Sequence, residues 1–471
     1  MNFVSYAFAG LLILVCLARL TVGRRKIESS YVWVLLVASL VFYGWHIPPY
    51  LVVLVVAATI DYVAALALEQ PHRSDRARKA ILAVSMCTNL GLLAFFKYFG
   101  FALDNLQWAA DRIGFALVRP EWQVVLPMGI SFYTFQSMSY TIDVYRRQLP
   151  ALRSFRDFIL FISFFPQLVA GPIVRASEFL PQMPRVRRIH WPVVATGLAL
   201  MVEGYFLKMV CADNLAVYVD KYWEQGYRTD GNSVVMVWLV LLFSGQIFCD
   251  FAGYSQIARG VAYLLGYRLP INFDSPYIAG SFKNFWERWH ITLSRWLRDY
   301  LYVPLGGNRV SPRRTYVNLL IVMLLGGLWH GAAWTYVAWG AMHGSALAIE
   351  RGLGLHRGLE RRSWWLRIAW AVVVQVVVLV TWIFFRSHSF GGAWQFLRNI
   401  ARLEWATPNW EMWTAVAFLV PIVLAHAWTW LVEHEWVAPL TPFRRAVLTG
   451  VMLYGILIAY GSSNAFIYFQ F

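Results

Sequence analysis

Residues 234–264 read VVMVWLVLLFSGQIFCDFAGYSQIARGVAYL, an apolar run whose only charged side chains are Asp250 and Arg259. A helix needs about 20 mostly apolar residues to cross a bilayer, and this run exceeds that length. Outward from it, runs of comparable character lie at about 3–22, 31–46, 50–69, 81–100, 123–143, 191–211, 315–333, 334–350, 367–386, 412–432 and 446–462. Together they predict an all-α polytopic membrane protein of roughly 11–13 transmembrane helices, with re-entrant and interfacial helices besides.

Composition agrees. Hydrophobic residues make up 59% of the 471 positions and aromatic residues 17%. Charged residues make up 14%, against about 25% in a soluble domain. A soluble globule, a disordered chain and a fibrous repeat are all excluded. The excess of 41 Lys+Arg over 25 Asp+Glu gives a net charge of +16. Basic residues crowd the cytoplasmic loops of membrane proteins, and an anionic cytosolic substrate also fits that sign. No basic-aromatic loop of the kind that binds bases is present, so nucleic acid is not expected as a partner; the lipid bilayer is.

Arg24, Arg25 and Lys26 follow the first run; Arg73, Arg76, Arg78 and Lys79 follow the third; Arg146 and Arg147 follow the fifth. Arg351, Arg357, Arg361 and Arg362 precede the 367–386 run, and Arg444 and Arg445 precede the last. Twelve crossings with both termini outside put all of these on one side. The charge after the first run marks a retained span rather than a cleaved signal. Cys16, Cys87, Cys211 and Cys249 lack metal-type spacing and read as buried small hydrophobes. Asp61, Lys97, Asp143, Glu203, Lys208, Asp250 and Arg386 fall at membrane depth, where ionisable groups mark function unless they pair or snorkel.

Two stretches fit poorly as spans. Residues 155–184 are apolar but broken by Pro166, Gly171 and Pro172, which predicts a re-entrant segment. Residues 270–314 are studded with Arg and Trp and are expected at the cytoplasmic face. Within them, Phe285 to Leu301 reads as one amphipathic helix. Trp286, His290, Leu293, Leu297 and Leu301 share its apolar face, and Arg288, Arg295 and Asp299 share the wet one, with Arg298 at its edge. His290 therefore points into the protein, and Arg295 is spaced to pair with Asp299. A second histidine, His330, lies deep in LLGGLWHGAAWTYVAWGAMHG (324–344), flanked by Gly326, Gly327 and Gly331. Those glycines let another segment or a ligand approach. A neutral imidazole there can accept and relay a proton. His343 occupies a similar setting.

The order of motifs resembles the membrane-bound O-acyltransferases, in particular their bacterial alginate O-acetyltransferase branch. The matching stretches are LPMGISFY (126–133), YTIDVYR (140–146), FPQLVAGP (165–172), DFAGYS (250–255), FWERWHITLS (285–294), WLRDYLY (296–302), GGNR (306–309) and GGLWHG (326–331). The resemblance implies a single membrane domain over 1–471. In it, 1–150 supplies N-terminal helices, 151–350 the catalytic core with re-entrant segments, and 351–471 the C-terminal helices and an extracytoplasmic tail. It also implies a central tunnel that acetyl-CoA enters from the cytosol. The family's two characteristic histidines fall on His330, as general base or acyl-transfer residue, and on His290, lining the cytoplasmic arm. Arg288, Arg295, Arg298 and Arg309, with Trp289 and Asn308, would hold the coenzyme. No metal is expected. The ending FIYFQF (466–471) resembles that of a small accessory peptide of teichoic acid D-alanylation, which makes Tyr468 a candidate acyl carrier. The implied setting is the bacterial inner membrane. The implied partner is a periplasmic or membrane-anchored SGNH-type acetyltransferase that modifies a cell-surface polysaccharide such as alginate, cellulose or peptidoglycan. A secondary transporter and a non-catalytic scaffold of an exopolysaccharide complex are the alternatives; no obvious internal repeat supports the first.

Overall fold

A computed structural model describes residues 1–22, 28–115, 124–169, 171–185, 190–228, 232–404 and 410–461. Tyr468 lies outside them. Every regular element among the described residues is helical. Among the described residues each of the twelve apolar runs lies mostly on helix, from Tyr6–Val22 and Glu28–Gly44 to Trp410–Ala417, Val420–Glu433 and Pro442–Ala459. Seven helices are long and apolar enough to cross a membrane by length and composition: Tyr50–Glu69, Asp75–Arg112, Trp191–Tyr227, Ser233–Leu265, Trp364–Arg386, Trp410–Glu433 and Pro442–Ala459. The 312–330 and 334–352 helices miss that standard because glycines, histidines and arginines dilute their apolar content.

By contacts the chain resolves into two compact units. The first comprises Met1–Leu198 and Ala258–Pro270; the second comprises Ala199–Ile257 and the described residues from Ile271 onward. At the centre of the first unit the Ile130–Tyr145 helix is buried on nearly every face. Polar residues on a buried helix need partners. Asp61, fully buried, supplies one, accepting from Ser85 Oγ at 2.5 Å, from Asn89 Nδ2 at 2.8 Å and from Ser137 Oγ. The helix starts at Gly129, φ 74°, where a Cβ would run into the Leu168 carbonyl. The 155–184 stretch is broken as its prolines and glycine predict, into Phe155–Ser163, Phe165–Leu168 and Ala176–Phe179. Protein covers it, since residues 158–169 are all buried.

In the second unit, two of the charges read at membrane depth, Lys208 and Asp250, find each other, and Asp213 joins them. Lys208 Nζ lies 2.7 Å from Asp213 Oδ1 and 2.7 Å from Asp250 Oδ1, with all three side chains buried. Arg386 pairs with Asp220 at 2.5 Å and lies over the Trp223 and Phe243 rings. Glu203 accepts from Gln256 at 2.8 Å. The cysteine reading needs one correction. Cys211 and Cys249 are buried, but Cys16 is half-buried and Cys87 is exposed. An apolar run facing lipid and one facing a core look alike to a composition argument.

Candidate active site

The site is built on a helical hairpin, Pro312–His330 followed by Trp334–Gly352. Helices in lipid associate where small residues let backbones meet, and glycines set the spacing here. A Cβ on Gly327 would strike the Tyr336 carbonyl, one on Gly340 the Met323 carbonyl, and one on Gly344 would lie 3.1 Å from Leu320 Cα. His330 closes the first helix and His343 sits midway along the second.

The stretch expected as one helix from Phe285 to Leu301 is two short helices, Phe282–Arg288 and Ile291–Leu297, followed by a wider turn at Arg298–Tyr302. The break is at His290, whose φ of 40° and ψ of 54° are left-handed. The cause is distant in sequence. Residues 272–274 lie alongside the break, with Asp274 N donating to the Arg288 carbonyl at 3.0 Å and Ile291 N to the Asn272 carbonyl at 2.9 Å. His290 is fully buried as predicted, but through this pairing rather than through a shared helix face. The expected Arg295–Asp299 pair is displaced by the wide turn, in which Asp299 takes Arg298 at 2.6 Å. The first short helix is held at its start by Glu350 from the hairpin, whose carboxylate accepts from Phe282 N at 2.6 Å and Lys283 N at 3.0 Å.

The imidazoles meet inside an aromatic nest. The His290 and His330 ring centroids are 6.4 Å apart. That is too far for a direct ring-to-ring hydrogen bond and suits one bridging oxygen. Phe251 meets His290 edge-on at 4.7 Å. Trp329, Trp339 and Phe385 surround His330 at 5.0, 5.1 and 5.5 Å. Trp339 also touches His343, at 4.7 Å, and so stands against both rings. His343 Nε2 lies 3.0 Å from Thr381 Oγ1. That hydroxyl spends its proton on the Val378 carbonyl, so Nε2 is the donor. His330 keeps 4% of its surface accessible; His290 and His343 keep none. Burial pushes His290 down to about 3, so the ring is neutral at physiological pH.

The remaining predicted site residues separate. Trp289 is a core residue, stacked on Phe285 at 5.8 Å and 11°. The Arg288 guanidinium is engaged on three sides, by Asn284 Oδ1 at 3.1 Å, the Asp274 carbonyl at 3.1 Å and Glu433 at 2.7 Å. Arg295, Arg298, Asn308 and Arg309 are exposed; Asn308 accepts from the Tyr302 hydroxyl at 2.6 Å. Among the described residues no three His, Cys, Asp or Glu side chains assemble as metal ligands. Sequence reasoning missed Asn272, Thr381 and Glu350, which hold the histidines and their helix. Their partners lie 18 to 68 residues away, and periodicity carries no trace of such pairings.

The sequence pattern of the membrane-bound O-acyltransferase family matches residues 50–389, which include both His290 and His330. The chain belongs to that family. This O-acyltransferase is 40% identical to the probable alginate O-acetylase AlgI of Pseudomonas aeruginosa over 369 residues, 77% of this chain and 68% of that protein. It is 35% identical to the peptidoglycan O-acetyltransferase of Helicobacter pylori over 399 residues, 79% of this chain and 73% of the relative. A teichoic acid D-alanyltransferase of Streptococcus thermophilus is 30% identical over 234 residues, 47% of this chain and 56% of its own. This chain is a multi-pass membrane enzyme, and acyltransferase chemistry needs a base beside an acyl carbonyl.

Proposed function

We propose that this O-acyltransferase moves an acetyl group from cytosolic acetyl-CoA across the bacterial inner membrane, for O-acetylation of a cell-surface polysaccharide. The observation that carries the reading is the pair of buried imidazoles with ring centroids 6.4 Å apart, in a chain similar to an alginate O-acetylase and a peptidoglycan O-acetyltransferase. His330 removes the proton from an acceptor hydroxyl. The hydroxyl oxygen attacks the thioester carbonyl, the new C–O bond forms, and the C–S bond breaks. The coenzyme thiolate then takes the proton back from the His330 imidazolium, so the base is restored. His290 faces His330 across a bridging water.

The exposed Arg295, Arg298 and Arg309, with Asn308, are the groups that would meet coenzyme phosphates. Arg288 and Trp289 act behind them, as part of the wall. Tyr468 remains a candidate carrier that would take the acetyl group as a phenyl ester and hand it to an SGNH-type partner outside. All of these assignments belong to one membrane domain with its catalytic core in 151–350.

The test is purified protein with radiolabelled acetyl-CoA. Release of free coenzyme with transfer or slow hydrolysis supports the enzyme. Uptake into vesicles without coenzyme turnover supports a transporter, and neither supports a scaffold. His330→Ala is expected to lower turnover by about 10²–10⁴-fold, the usual contribution of a general base; full turnover in that variant would remove His330 from the mechanism. Tyr468→Phe with wild-type polymer acetylation would reject the carrier step alone.

A further inference from the structure

One carbonyl oxygen holds the local structure around His290. Asn272 Oδ1 lies 3.1 Å from His290 Nδ1, 3.2 Å from the Thr292 backbone nitrogen and 2.8 Å from Thr292 Oγ1. The backbone N–H of Thr292 can only donate, so the Asn272 atom facing it must be oxygen rather than the amide nitrogen. That oxygen only accepts. His290 Nδ1 must therefore carry the proton, and Nε2 must carry the lone pair. The other half of the Asn272 amide, Nδ2, lies 3.3 Å from Ser255 Oγ, which keeps the group from turning over. The Asn272 main-chain carbonyl takes Ile291 N at 2.9 Å. Asn272 thus grips the left-handed His290 and the two residues that follow it, a conformation that persists only where its surroundings over-determine it. His290 Nε2 is buried and has no hydrogen-bond partner among the described residues.

We infer that Asn272 is the positioning residue of this active site: it fixes the Nδ1–H tautomer and the pose of His290, leaving Nε2 as the lone pair of a ring 6.4 Å from His330. The consequence for turnover rests on the proposed role of the histidine pair; the tautomer does not. A ring held this way cannot offer Nδ1 as an acceptor. Any hydroxyl or water bridging toward His330 must bond His290 through Nε2, and the wrong tautomer would present an N–H there instead. Tautomer control by a fixed acceptor is what makes an imidazole usable as a base.

The experiment is nitrogen-15 NMR on the full-length protein labelled at histidine, with the His290 signals assigned by their loss in His290→Ala. A pyrrole-type Nδ1 and a pyridine-type Nε2 are expected in the unmodified protein. Asn272→Asp, which keeps the acceptor, should retain a pyrrole-type Nδ1; Asn272→Ala should give a mixture or the reverse. Thr292→Val removes a different donor from the same oxygen and should change neither tautomer nor turnover, which controls for general damage. In acetyl transfer, Asn272→Ala should lose about tenfold or more in kcat, the rate equivalent of one buried hydrogen bond, with KM for acetyl-CoA moving by less than about twofold. Asn272→Asp should recover much of kcat. A pyridine-type Nδ1 in the unmodified protein, or an unchanged tautomer in a folded Asn272→Ala, overturns the inference. Wild-type transfer by His290→Ala would instead refute the catalytic role of His290, with the tautomer result standing.

Discussion

Removing the Glu350 carboxylate should loosen the helix that leads to His290, and the size of the effect follows from its bonds. Glu350 is fully buried. Its Oε2 accepts from Phe282 N at 2.6 Å and from Trp370 Nε1 at 3.1 Å, and its Oε1 from Lys283 N at 3.0 Å. The first residues of a helix have N–H groups with no partner inside the helix, and Glu350 is the acceptor for two of them. Glu350→Ala strands both. At about 1.5–3 kcal/mol for each bond to a charged group, the loss is about 3–6 kcal/mol. Trp370 adds little to that sum because it is only partly buried and its indole can turn toward another acceptor. Glu350→Gln keeps one carbonyl oxygen but turns an NH₂ toward a donor, so it should lose about half as much. Against a typical total of about 5–15 kcal/mol, the alanine variant is a severe lesion and the glutamine variant a moderate one. Chemical unfolding of purified protein in detergent, read by circular dichroism, gives the two differences. The order Ala worse than Gln worse than wild type is the expected result. An alanine variant within about 0.5 kcal/mol of wild type would refute the argument that this carboxylate caps the helix.

Lys208→Met removes the cation between Asp213 and Asp250, and should cost about 3–5 kcal/mol because it leaves buried carboxylates uncompensated. Adding Asp250→Asn should recover part of that loss in the same unfolding experiment. Arg295→Ala and Arg298→Ala should raise KM for acetyl-CoA several-fold, more at low salt than at high, with kcat held. Arg288→Ala should instead lower the unfolding midpoint, because its guanidinium ties Asp274 and Glu433 together; a pure KM effect there would contradict the geometry. Gly340→Ala pushes a Cβ into the Met323 carbonyl, and should cost about 1–3 kcal/mol as the two helices part, checked by the same unfolding curve.

What could be read ahead of the structure was whatever repeats along the chain. Among the described residues the apolar runs are mostly helix, and the glycines of 326–344 did mark a close approach. The approach is of one helix to the next, at Gly327 against Tyr336 and Gly340 against Met323. The burial of His290 was anticipated through an argument that failed. A 100° rotation per residue presumes an unbroken helix, and residues 272–274 break it by bonding to 288–291. Arg288 looked like a coenzyme ligand because charge alone says nothing about what already occupies a guanidinium; Glu433, 145 residues away, does. Asn272, Thr381 and Glu350 escaped notice for the same reason. Each acts through hydrogen bonds to remote partners, and such bonds leave no periodic mark.

Trp339 touches both His330 and His343, and both rings are buried with Nδ1 shut away from solvent. The second is sealed, with its Nε2 proton committed to Thr381. For an enzyme that handles an activated ester, every exposed base is also a route to wasteful cleavage by solvent. A bulky indole placed against two buried imidazoles keeps solvent from both, including the ring proposed to carry the transfer. A smaller side chain at 339 would uncouple consumption of the donor from delivery of its cargo.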